Sequence, residues 1–205
     1  MRADAERSTA RILEAAEVVL ADDPNASLER VADAAGLARA TVHRRFASRQ
    51  ALVEALTQQL NERYLQGLKQ ARVETAPPLV ALHRLTETVF ALKISHRFAM
   101  NASADPVTRC PSLSPEVTAG LESLFARLRS AGVITADGPA WCVRVFLALL
   151  MEIDQLSADA PDLTPAGDPG ARIDLLVRSV VGALGGDAWS LAASSTSRSA
   201  TTPAA

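Results

Sequence analysis

AAGLARATVHRRF, residues 34–46, decides how the rest of this chain reads. Gly36 interrupts one helical pattern, and a second, shorter one resumes at Arg39 and runs to Phe46. From Gly36 to Arg49 there are four arginines and no acidic residue, although the chain as a whole carries a net charge of −2. Residues 1–35 hold four basic residues against eight acidic ones, so the positive charge is concentrated in one place. Two meanings are open: a solvated helix face, or a surface shaped for an anionic polymer.

The flanking residues separate them. Ile12, Leu13, Ala16, Val19 and Leu20 recur at helical spacing and predict a helix over 8–21. Asp23-Pro24-Asn25 stops it. Ser27 is a natural N-cap for a helix over 28–35, which carries Leu28, Val31, Ala32 and Ala35. Gly36 ends that helix as a left-handed C-cap, and a third helix spans 39–46. Two short helices around a Gly-containing turn, behind a supporting helix, describe a helix-turn-helix. Its expected core is Leu28, Val31, Leu37, Val42 and Phe46, backed by Ile12, Ala16 and Leu20. With Val42 and Phe46 inward, Arg39, Ala40, Thr41, His43, Arg44 and Arg45 face outward. Arginine can fork onto guanine O6 and N7, threonine can meet a phosphate or a thymine methyl, and alanine lets the backbone approach the groove. Arg49, beside Ser48 at the next helix start, suits a phosphate. Inside this frame the solvated-face reading loses ground.

Composition agrees with an all-α fold. The 205 residues are 48% hydrophobic but only 4% aromatic, and Ala and Leu favour helices. Ser48 opens a long fourth helix with Leu52, Leu56, Leu60, Tyr64 and Leu68. Pro77-Pro78 breaks the pattern, a helix follows over 79–101, and others run from Pro115 towards Gly132, from Pro139 towards Ala158, and over 170–184. We place a helix-turn-helix domain at 1–50, a second helical domain at 51–186 and a flexible tail at 187–205, since SSTSRSATTPAA offers little to bury.

Other chemistry finds little support. Cys110 and Cys142 are isolated, as reduced thiols of a cytoplasmic protein would be. The start of the chain has no apolar leader. The most apolar window, Val143 to Met151, contains Arg144 and is too short for a bilayer, so no membrane partner is expected. His83 and Glu87 sit one helical turn apart with His96 further on, but no third ligand has metal spacing. Neither a GxSxG nor a GxxxxGK[ST] loop occurs. No catalytic residue, metal or cofactor is expected, and the chain does not read as an enzyme.

SLERVADAAGLARATVHRRFASRQALVEAL, residues 27–56, resembles the DNA-binding domain of TetR-family transcriptional regulators. The matching positions are Ser27, Val31-Ala32, Ala35-Gly36, Thr41, His43, Phe46, Ser48, Arg49 and Leu52. Three depart from the usual pattern. His43 replaces a tyrosine that typically contacts phosphate, Arg49 replaces a lysine, and Ala38 stands where a capping serine is usual. The expected DNA-contacting set is Ser27, Arg39, Ala40, Thr41, His43, Arg44, Arg45 and Arg49.

The helix from Pro139 is apolar nearly all round and must be buried on more than one side. Cys142, Val145, Leu149, Ile153 and Leu156 can face a second subunit, beside Ile173, Leu176, Val177, Val180, Val181 and Leu184. The resemblance implies that two such helices per subunit form a four-helix bundle. It also implies an effector site among the middle helices, for which Leu85, Val89, Phe90, Ile94, Phe98, Met100, Leu121, Leu124, Phe125, Trp141 and Phe146 are candidates. Few polar groups stand among them, which suits an apolar or aromatic effector. The expectation is a cytoplasmic, homodimeric repressor that binds a pseudo-palindromic operator in double-stranded DNA and is released by a small molecule. The rivals are an activator or ligand-independent regulator of the same fold, and a helical protein-interaction module.

Overall fold

The computed structural model describes residues 2–104, 113–157, 160–163 and 168–187. Cys110 and the tail beyond residue 187 lie outside the described residues. Within them the regular elements are helices: α1 (Arg2–Asp22), α2 (Leu28–Ala35), α3 (Arg39–Arg45), α4 (Arg49–Ala71), α5 (Pro78–Ser95), α6 (Arg97–Ala102), α7 (Pro115–Ser130), α8 (Pro139–Gln155) and α9 (Pro169–Ala183). The fold is all-α, as composition and periodicity required. By packing the chain divides into two units, Met1–Gln66 with Ala91–Ser114, and Gly67–Phe90 with Pro115–Ala205.

In the first unit, α1 packs on α2 and α6, and α2 packs on α3. α1 begins at Arg2, ahead of the expected start at Ser8. The reason is local: the Ser8 and Thr9 hydroxyls donate to the carbonyls of Asp4 and Ala5 at 2.7 and 3.0 Å, as interior helical residues do, and do not cap. Ile12, Ala16 and Leu20 are fully buried along one face. The start of α4 adds Leu52, Leu56, Leu60 and Tyr64, all buried at four-residue spacing.

The single helix expected over 79–101 is two. α5 stops at Ser95, His96 leaves the helical region at φ −132° and ψ 37°, and α6 restarts at Arg97. No proline or glycine marks the break. Glu17 of α1 holds it open, its Oε1 accepting the N–H groups of Phe98 and Ala99 at 2.7 and 3.1 Å. A side chain from elsewhere thus satisfies donors that a new helix start leaves without intrahelical partners.

In the second unit α8 packs on both α7 and α9. Phe125 and Phe146 meet with ring centroids 6.0 Å apart, tilted by 58°. Two half-buried arginines bond carbonyls at or just past helix ends. Arg127 donates to the carbonyls of Val73 and Ala76, and Arg172 to those of Ile153 and Leu156, where α8 runs out. Asp168 caps α9, accepting from the Gly170 N–H at 2.9 Å. None of the described helices is long and apolar enough to cross a membrane.

Candidate nucleic-acid interface

Local chemistry builds the α2–turn–α3 element. The Ser27 hydroxyl accepts the Arg30 N–H at 3.3 Å and caps α2. At the other end Gly36 adopts φ 62° and ψ 38°, a conformation that opposes a Cβ. Its N–H reaches the Asp33 carbonyl, and the Leu37 N–H reaches Ala32, so the last carbonyls of α2 are used by the turn itself. Arg11 adds a bond from α1 to the Ala35 carbonyl at 2.7 Å. The start of α3 is barer: Ala38 sits at the N-cap in an extended conformation and makes no side-chain cap bond.

Val42 is fully buried and Phe46 nearly so, while Leu37, expected in the core, is half-buried. Arg39, Ala40, His43, Arg44 and Arg45 are exposed, Thr41 is half-buried, and Ser27 and Arg49 are exposed beside them. Arg44 and Arg45 have no hydrogen-bond or ion-pair partner among the described residues. Arg49 does: its guanidinium donates to the Pro24 carbonyl and ties the start of α4 to the turn before α2. Ser48 caps α4 through the Ala51 N–H at 3.1 Å.

The acid-free stretch is not free of acids in space. Glu29 Oε1 lies 3.2 Å from His43 Nε2, and Asp33 Oδ2 lies 3.9 Å from Arg39. Arg30 in turn pairs with Asp22 and Asp23. The Glu29 backbone N–H, the Ser27 hydroxyl and His43 together hold the Glu29 carboxylate at a pKa of about 2, so it stays ionised. Reading the basic run by itself misses Glu29 and Asp33. Their signal was the four-residue spacing on α2, which matches that of Arg39 and His43 on α3.

Residues 12–56 match the family model for bacterial regulatory proteins of the tetR family. The chain is 32% identical over 146 residues to the HTH-type transcriptional repressor LfrR of Mycolicibacterium smegmatis, spanning 71% of this chain and 76% of that protein. The chain belongs to the TetR family. Its members are non-enzymatic transcriptional regulators that bind DNA and small molecules. Over a shorter stretch it is 37% identical to the HTH-type transcriptional regulator NfxB of Pseudomonas aeruginosa, covering 37% of this chain and 40% of that one. The solved structure of LfrR from Mycobacterium smegmatis in complex with proflavine superposes with a TM-score of 0.56 at 28% identity, covering 85% of this chain and 95% of that one.

In this TetR-family chain the candidate effector residues divide between the units. Phe98 and Met100 are buried in the first. Leu85, Val89, Leu121, Leu124, Phe125 and Phe146 are buried in the second, where Phe90 is half-buried. The Ile94 side chain lies outside the described residues. Trp141 is 55% exposed, with the Arg144 guanidinium 5.4 Å over its ring. Among the candidate interface residues, Cys142, Ile153, Leu176, Val177, Val180, Val181 and Leu184 are buried within the second unit. Val145, Leu149, Leu156 and Ile173 are half-buried. Burial also pushes the Cys142 thiol pKa up, which keeps the thiol protonated. His83, half-buried, stands between Glu87 at 3.5 Å and Asp174 at 3.4 Å and links α5 to α9. No cluster of three or more such groups suited to a metal occurs among the described residues.

Proposed function

We infer that this regulator is a repressor that binds a pseudo-palindromic operator as a homodimer and is released by a small-molecule effector. The observation that carries the reading is the face of α3. Arg39, Ala40, His43, Arg44 and Arg45 stand exposed and Thr41 half-exposed, while Val42 and Phe46 anchor the helix from behind. Arg44 and Arg45, without partners among the described residues, supply forks for base edges or phosphate at no loss of an internal bond. Ser27 and Arg49 flank α3 at two neighbouring helix starts, where backbone contacts fix register.

Residues 1–50 form the DNA-binding part and 51–186 the effector and dimerisation part, acting in the cytoplasm where DNA is. The half-buried apolar residues Val145, Leu149, Leu156 and Ile173 support a subunit interface on α8 and α9. Two recognition helices related by a two-fold axis would meet successive major grooves about 34–36 Å apart. The repressor role is supported by the name of LfrR, and an aromatic effector by its complex with proflavine. An effector releases DNA if it binds the non-binding conformation more tightly.

The test is binding to fragments of the DNA upstream of its own gene, with and without proflavine, over a range of salt. Affinity falls steeply as salt rises, because each phosphate neutralised releases counterions. Flat salt dependence, or no binding, would favour the protein-interaction module. Sedimentation as a monomer at micromolar concentration would remove the two-fold model.

A further inference from the structure

Acids that the α3 sequence lacks are supplied to its exposed face by α2. Glu29 and Asp33 stand one helical turn apart and meet His43 and Arg39, also one turn apart. We propose that Glu29 is a positioning residue for DNA binding, holding His43 through its Nε2–H so that the ring grips phosphate only when Nδ1 is also protonated. This rests on α3 being the recognition helix.

A neutral imidazole has one N–H and one lone pair, and an ionised carboxylate only accepts. A carboxylate 3.2 Å from Nε2 therefore draws the ring's N–H to that nitrogen. Nδ1, which has no partner among the described residues, is left with a lone pair that repels a phosphate oxygen. Protonation turns Nδ1 into a second donor, and the ring can then bridge carboxylate and phosphate. Glu29 sits in the first turn of α2, whose start is capped by Ser27, so the carboxylate is presented from a helix fixed at that end.

The other charged groups on the elements around His43 are accounted for. Asp33 pairs with Arg39, Arg30 with Asp22 and Asp23, Arg11 bonds the Ala35 carbonyl and Arg49 the Pro24 carbonyl, and Arg44 and Arg45 flank His43 on α3 itself. Carboxylates and guanidiniums ordinarily keep their charge between about pH 6 and about pH 8, whereas imidazole is the side chain that changes there. DNA binding then takes up a proton at each recognition helix.

The experiment measures operator binding by the full chain across that pH range at fixed ionic strength. The wild-type Kd rises with pH, by at most about tenfold per pH unit for each helix engaged. His43→Gln loses this rise but keeps its salt dependence. Glu29→Gln makes the rise shallower, because an amide can donate to Nε2 as well as accept from it and so no longer fixes which ring nitrogen carries the proton. Nitrogen NMR of the free wild-type protein should find the neutral ring protonated on Nε2. A Glu29→Gln protein that binds more tightly by the same factor at every pH would mean that the carboxylate merely repels DNA, and would overturn the proposal. So would a His43→Gln protein with the wild-type profile, or a neutral ring protonated on Nδ1. Wild-type protein that binds no DNA at any pH or salt takes down the recognition-helix reading, and the proposal with it.

Discussion

Glu17 and Phe98, 81 positions apart, are joined by a 2.7 Å bond from the Phe98 N–H to the Glu17 carboxylate. The same oxygen also takes the Ala99 N–H, while Oε2 is buried with no partner among the described residues. Burial pushes this carboxyl above its ordinary 4.5, and the two N–H groups pull only part of the way back.

An acid whose pKa is raised by folding contributes stability that is present below its unfolded value and is lost as pH rises through the folded one. Glu17→Gln keeps an acceptor oxygen and cannot ionise. Its stability relative to wild type should therefore improve as pH is raised from about 4.5 to about 8. Urea denaturation across that range checks it, and a gap that does not change with pH would contradict the buried charge. Glu17→Ala, which strands two donors, should lose about 1–3 kcal/mol.

Gly36→Ala is expected to lose about 1–2 kcal/mol, because an L side chain is strained in the left-handed region. The new Cβ would also stand 3.2 Å from the Arg11 guanidinium that bonds the end of α2. Thermal melting should show the loss without a change in helix content.

Ala38→Ser offers the opposite change. α3 begins without a side-chain cap, and a serine in the same extended conformation can accept from the first turn. The gain is about 1 kcal/mol, read as a higher urea midpoint at unchanged slope.

Arg44 and Arg49 should separate cleanly. Arg44→Ala leaves thermal stability unchanged and costs about 1–3 kcal/mol of discrimination between operator and altered operator. Arg49→Ala weakens binding to all sequences alike, and it also lowers the melting temperature, because its guanidinium holds the Pro24 carbonyl. Equal melting temperatures for the two variants would show that this tie carries no stability.

The helix-turn-helix was legible because its determinants are local. The Ser27 cap, the left-handed Gly36 and the spacing of Val42 and Phe46 all act within a few residues of one another, and α2 falls where the sequence puts it. The exposure of Arg39, His43 and Arg44 follows once Val42 is inward, since a seven-residue helix has few ways to turn. The early start of α1 was less legible, because a serine within a helix and a serine that caps one look alike in sequence.

Local sequence sets an all-helical chain and the place of its turn, because periodicity and caps are properties of neighbouring residues, and the motif over residues 27–56 carries the resemblance to the TetR family. Only tertiary structure decided the break at His96, the acids set against the basic run, and which apolar residues of α8 and α9 are spent on the unit's own core. Each of these depends on a partner far along the chain. Glu17 supplies the bonds that let α6 start afresh, and Glu29 comes to His43 only because Gly36 reverses the chain. The feature that looked simplest in the sequence, a run of arginines without acids, is in space a surface with its own carboxylates at the edge.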